Sequence, residues 1–187
     1  MIPIKNKKKT LKITVEEMRN FSLSYVEKYS PSRQQIKTYL LKKYLKQSIS
    51  SVKKQNIIDL IDVVLSDLEK TKFISDKFYS DSKAKNLIQR GTSINKIRNY
   101  LISKGIQDRY IKETINKINE NNEDQDFFSA IKICKKKRIG PSRTEDNRPL
   151  FYKKDISLLA RNGFNFETSK KVMDLKKDDY LKIINLL

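Results

Sequence analysis

Apolar residues recur at spacings of three and four along most of this chain, and no stretch shows the two-residue alternation of a strand. The clearest unit is residues 73–106. Ser75 and Asp76 are placed to cap a helix carrying Phe78, Leu87 and Ile88, and Gly91 can end it in the left-handed conformation that glycine adopts cheaply. Thr92 and Ser93 then cap a second helix whose apolar stripe is Ile94, Ile97, Leu101 and Ile102, stopped by Gly105 with Ile106 folding back. Upstream, Thr14 and Glu17 have capping-box spacing before a helix that buries Val15, Met18, Phe21, Ser22, Tyr25, Val26 and Tyr29. Ser32 caps a helix carrying Ile36, Tyr39, Leu40 and Tyr44. After a polar stretch, Lys46 to Gln55, comes the most regular helix, with Ile57, Leu60, Ile61, Val64, Leu65 and Leu68.

Downstream, Asp108 is expected to cap a helix with Ile111, Ile115 and Ile118, and residues 121–126 form a hydrophilic break. A helix from Phe127 runs through Ala130, Ile131 and Cys134 into Lys135-Lys136-Lys137-Arg138. Those cations suit either the negative end of the helix dipole or a functional basic patch. Residues 139–149 hold two prolines and a glycine and are expected to be a loop. Helices follow through Ile156, Leu158 and Leu159, from Glu167 to Met173, and through Tyr180, Ile183, Ile184 and Leu187.

The pieces overlay on one another. Ser32, Ile36 and Leu40 match Ser93, Ile97 and Leu101; Leu101, Gly105 and Ile106 match Leu159, Gly163 and Phe164. The expected architecture is all-α: a basic tail at 1–13, three-helix repeats at 14–72, 73–120 and 121–174, and a helical extension at 175–187. Repeats in tandem, each burying its apolar face on its neighbour, make an elongated, curved array.

Charge changes the picture more than hydropathy does. Lys and Arg number 41 against 22 acidic residues, a net charge of +19, which attracts polyanions and above all nucleic acid. A codon bias toward Lys, Asn and Ile is the competing explanation, but it does not account for the shortage of acids. Histidine is absent and Cys134 is alone, which removes an internal disulfide, the commonest general base and the commonest zinc ligand. Four glycines leave no phosphate-cradling loop, and the carboxylates at 123–126 and 178–179 read as helix starts and turns. No cofactor is implied. The expectation is a binding protein and not an enzyme. The basic N-terminus lacks the apolar core of a signal peptide, and no apolar run approaches the ~18 residues of a membrane span. The cytoplasm is therefore the expected compartment. Cations stand beside several helix ends: Lys42 and Lys43 after Leu40, Arg90 before Gly91, Lys104 before Gly105, Arg161 before Gly163. Helix-dipole matching and a row lining one edge of an array both explain them.

The order of these landmarks resembles the RecX family of regulatory proteins. Phe73-Ile74-Ser75-Asp76-Lys77-Phe78 is similar to the motif opening that family's second repeat. Ile97, Leu101 and Lys104-Gly105-Ile106 look like its second-repeat helix and closing turn. Ser32-Arg33, Ile36 and Leu40 resemble the first-repeat helix, and Arg161-Asn162-Gly163-Phe164 the ending of the third. The resemblance implies a non-enzymatic, monomeric modulator of the RecA recombinase. Such a protein lies in the groove of the RecA–single-stranded DNA filament, restrains its ATPase and strand exchange, and binds single- or double-stranded DNA electrostatically. On that basis Lys104, Arg109, Arg138, Arg143, Arg148 and Arg161 are the expected groove-facing cations, with Arg90, Lys42 and Lys43 as further candidates. The alternatives are a helical DNA- or RNA-binding protein without a RecA partner, and a structural adaptor whose charge follows genome composition.

Overall fold

The computed structural model describes residues 11–46, 51–122 and 124–187. Most of the expected basic tail, the middle of the polar stretch after Lys46, and Glu123 lie outside the described residues. Every regular element among those described is helical. The chain divides into two compact units, Met1–Ser75 and Asp76–Leu187.

The first unit holds α1 (Val15–Tyr29), α2 (Arg33–Tyr44) and α3 (Ser51–Lys70). Thr14 accepts the Glu17 amide at 3.3 Å, and Ser32 and Gln35 complete a reciprocal capping box at 3.3 and 3.0 Å. Ser30, left-handed at φ 42°, ends α1 ahead of the buried Pro31. The apolar stripes meet in a core of Met18, Ile36, Leu40, Ile57, Ile61, Val64, Leu65 and Leu68, each fully buried. Arg19–Asp67, Lys37–Asp62 and Arg33–Glu69 ion pairs at 2.8, 2.7 and 3.3 Å tie α1 and α2 to α3 around its rim.

The second unit holds α4 (Asp76–Gln89), α5 (Ile94–Ser103), α6 (Asp108–Asn121), α7 (Gln125–Lys137), α8 (Asn147–Arg161), α9 (Phe166–Met173) and α10 (Lys177–Leu186). It contains two cores. Tyr79, Ala84, Ile97, Leu101, Ile106, Ile111 and Ile115 fill the space among α4, α5 and α6. Ala130, Ile131, Cys134, Leu159, Phe164, Val172, Met173 and Tyr180 fill the space among α7, α8, α9 and α10. The sequence overlay has a geometric counterpart. The Ile106 amide returns to the Leu101 carbonyl at 3.2 Å, and the Phe164 amide to the Leu159 carbonyl at 3.3 Å, with Gly105 and Gly163 left-handed at φ 71° and 86°. Likewise Ser32 and Ser93 are both helix caps, and the Ile and Leu four and eight residues after each are fully buried.

Several expectations are corrected by packing. Phe78 is 74% exposed: the buried face of α4 runs through Asp76, Tyr79, Ser80 and Ala84, and Phe78 lies about 200° around the helix from Ser80. Ile102 and Tyr29 are also more than half exposed, one step beyond their stripes. Asp108 is the first residue of α6 and not its cap; Gln107 stands at that position without a side-chain cap bond. Cys134, on the apolar face of its helix, is fully buried. The stretch from Ser51 to Gln55 is helical and lengthens α3, because exposed helix positions tolerate residues such as Lys53, Lys54 and Gln55. The 139–149 stretch is shorter as a loop than expected: Gly140–Ser142 form a 3-10 turn and α8 already starts at Asn147, with Pro149 in the first turn, where no intrahelical amide is needed.

Candidate functional site

Positive charge without acidic compensation converges in one cleft of the second unit. α4 ends in a glycine turn: the Gly91 amide reaches the Ile88 carbonyl at 2.9 Å and the Thr92 amide the Leu87 carbonyl at 3.0 Å. Gly91 has φ 78°, and a Cβ there would stand 2.9 Å from Lys132 Cβ and 3.0 Å from the Ser129 carbonyl oxygen. The absent side chain thus serves both the left-handed turn and the close passage of α7. That passage sets Gln89 and Arg90 beside α7. The inward face of α7, with Ala130, Ile131 and Cys134, is buried, so spacings of three and four place Lys132, Lys135 and Lys136 together on the outward face. Ile184 and Leu187 complete the lining of a cleft of about 620 Å³.

α10, which carries Ile184 into the lining, is held by a polar latch. Lys177 Nζ donates to the Pro141 carbonyl at 3.0 Å, Tyr180 is buried and hydrogen-bonded through its hydroxyl to Ser142, and burial pushes the Tyr180 phenol up. Arg148 donates to the carbonyls of Met173 and Leu175 at 2.6 and 2.7 Å, fixing the end of α9 and the turn into α10. Asp155 organises the same corner. Its carboxylate is 1% exposed and accepts from the Gly140 amide at 2.8 Å and from Arg143 Nε and Nη2 at 2.7 and 2.9 Å. Burial works to raise its pKa, but the bonds from Arg143 and Gly140 outweigh that and hold the carboxyl below its ordinary value. Burial pushes the neighbouring Cys134 thiol up to about 12, so this cysteine is a packing residue and not a nucleophile.

Among the described residues, no acidic group lies within ion-pair distance of Arg90, Lys132, Lys135 or Lys136. Four cations around a partly apolar concavity focus a positive potential suited to a phosphate backbone or to carboxylates. No group of three or more acidic or cysteine side chains that could hold a metal ion is found among the described residues. No described helix is long and apolar enough to cross a membrane.

The cations expected from sequence are dispersed. Of them, the cleft takes only Arg90. Arg143 and Arg148 are occupied in scaffolding the α8–α10 corner. Arg109 bonds the Tyr110 hydroxyl at 2.8 Å, and Lys104 lies 5.2 Å from the Tyr100 ring centroid. Arg138 is exposed and caps α7 in a left-handed conformation at φ 53°. Arg161 is exposed in the last turn of α8. In the first unit, Lys42 is exposed and Lys43 Nζ sits 3.6 Å over the Phe21 ring. Lys132 escaped the sequence reading. Its spacing of three and four from Lys135 and Lys136 is visible in the chain, but the packing of α7 against the Gly91 turn, which brings Arg90 alongside, is not.

No protein-family model and no solved structure matches the chain. Curated proteins do. The regulatory protein RecX of Myxococcus xanthus is 27% identical over 175 residues, 89% of each chain. RecX of Clostridium botulinum is 29% identical over 115 residues, 62% of this chain and 52% of that one. RecX of Clostridium acetobutylicum is 26% identical over 153 residues, 81% and 65% of the two chains. The longest of these alignments covers both chains nearly end to end, and three matches of the same name support membership of this helical chain in the RecX family of regulatory proteins.

Proposed function

We propose that this protein regulates the RecA recombinase: it binds the RecA–single-stranded DNA filament and restrains its ATPase and strand exchange during recombination and DNA repair. The observation that carries the reading is the unpaired cationic cleft of Arg90, Lys132, Lys135 and Lys136. A nucleoprotein filament presents the phosphates and acidic side chains that such a cleft attracts, and phosphate contacts position a protein without reading sequence. In this reading the protein is a cytoplasmic monomer with no catalytic chemistry of its own. Its triads α1–α3, α4–α6 and α7–α9 are tandem repeats, and the DNA contribution to binding is electrostatic.

The test is ATP hydrolysis by RecA on single-stranded DNA with the protein added well below one molecule per RecA. The wild type is expected to suppress hydrolysis. The triple change Lys132→Glu, Lys135→Glu and Lys136→Glu should raise the half-effective concentration by about tenfold or more at low salt, with the gap shrinking as salt rises. The three lysines make no ion pair among the described residues, so thermal stability should hold. Equal suppression by both proteins would remove the cleft from the reading. No suppression by the wild type of a RecA from its own source would end the RecA assignment.

A further inference from the structure

The aromatic side chains of the first unit do not all go to its core. Phe21, Tyr25 and Tyr29 follow one another at four-residue steps on α1, and Tyr39 joins them from α2. Tyr25 and Tyr39 stack with ring centroids 4.4 Å apart and planes within 5°. Tyr29 continues the ladder at 4.9 Å from Tyr25, tilted by 49°. Cations are interleaved: Lys43 Nζ lies 3.6 Å from the Phe21 centroid and 5.7 Å from that of Tyr39, and Lys28 Nζ lies 5.3 Å from that of Tyr29. Neither lysine has an acidic partner among the described residues.

We propose that Tyr29, backed by Tyr25 and Tyr39, is a stacking platform for an unpaired base of a single-stranded polynucleotide. Helix packing accounts for Tyr25 on Tyr39 and leaves the outermost ring unexplained, because Tyr29 is 54% exposed at the open end of the ladder. The backbone that carries the ring is also anchored. The Ser30 amide returns to the Val26 carbonyl at 2.9 Å in a left-handed cap, and the buried Pro31 follows, so the last turn of α1 is fixed before any ligand arrives. Aromatic faces with lysines beside them supply the two interactions that single strands offer at once, base stacking and phosphate charge. The cleft of the second unit has no aromatic residue in its lining and offers no ring to stack on. The platform is therefore a separate site with separate chemistry.

The experiment uses the full chain with no RecA present, so its failure leaves the filament reading standing, and the reverse. A fluorescein-labelled oligothymidylate of about fifteen nucleotides is titrated at low salt and followed by its anisotropy, and an unlabelled one by tyrosine emission, which no tryptophan obscures. Tyr29→Ala should weaken binding about tenfold, and Tyr29→Phe, which keeps the ring, should stay within about twofold of wild type. An abasic oligomer of the same length should bind wild type and Tyr29→Ala equally weakly. Equal affinity of the wild type for abasic and ordinary oligomers, an unchanged Tyr29→Ala, or no binding of oligothymidylate would each overturn the proposal.

Discussion

Arg143, which the sequence offers as a filament contact, is expected to behave as a structural residue, and Arg143→Met tests this. Its partner Asp155 is 1% exposed, and two of the three hydrogen bonds that the carboxylate accepts come from the Arg143 guanidinium, at 2.7 and 2.9 Å. Methionine keeps much of the stem that packs beside Phe151, whose ring centroid lies 4.4 Å from the guanidinium carbon, so the loss is mainly one of charge and hydrogen bonds. Removing one partner of a buried pair costs about 3–5 kcal/mol, because the remaining ion stays buried without compensation. The Gly140 amide, at 2.8 Å, remains as a donor, which sets the expectation at the lower end, about 3 kcal/mol. With a urea slope near 2 kcal/mol per molar, the midpoint by circular dichroism should fall by about 1.5 M. The pH dependence has a definite sign. In the wild type the folded-state pKa of Asp155 is depressed, so the pair stabilises above the unfolded carboxylate pKa and this is lost as the pH falls through the folded value. In Arg143→Met, burial without the guanidinium raises that pKa, so the variant's deficit should shrink as the pH falls and Asp155 becomes neutral. Adding Asp155→Asn should recover more than half of the loss at neutral pH. A single-variant loss under about 0.5 kcal/mol, the range of an ordinary surface change, would refute the buried-pair argument and return Arg143 to the candidates for partner contact.

Two backbone predictions accompany it. Gly91→Ala combines a left-handed φ of 78° with a Cβ 2.9 Å from Lys132 Cβ, and should cost about 2–3 kcal/mol in urea melts while weakening RecA suppression through the displaced α7; the exposed Gly105, at φ 71°, is the control and should cost only about 1–2 kcal/mol as Ala, with suppression intact. Arg138→Gly should stabilise by about 0.5–1 kcal/mol, since an exposed residue at φ 53° gains from losing its Cβ; an unchanged or lower midpoint would contradict the cap geometry.

Local chemistry was legible in the chain because local rules decide it. Ser32 and Ser93 cap helices, Gly91, Gly105 and Gly163 end them left-handed, and Ile57, Ile61, Val64 and Leu65 form a buried stripe, each for reasons contained within a few neighbouring residues. Family resemblance was legible for the same reason, since it rested on the order of those local landmarks, and RecX of Myxococcus xanthus is 27% identical over 89% of each chain. What a cation does was not local. Arg143 and Arg90 both look like bare positive charges in sequence, yet one is tied to a carboxylate twelve residues downstream and the other lines a cleft with lysines on a different helix. Exposure was not local either: Phe78, Ile102 and Tyr29 are apolar or aromatic, but the rotation of each helix against its neighbours turned them outward. A helical repeat specifies which residues share a face; only the packing of helix on helix decides which face is covered, and so which charges and rings remain for a partner.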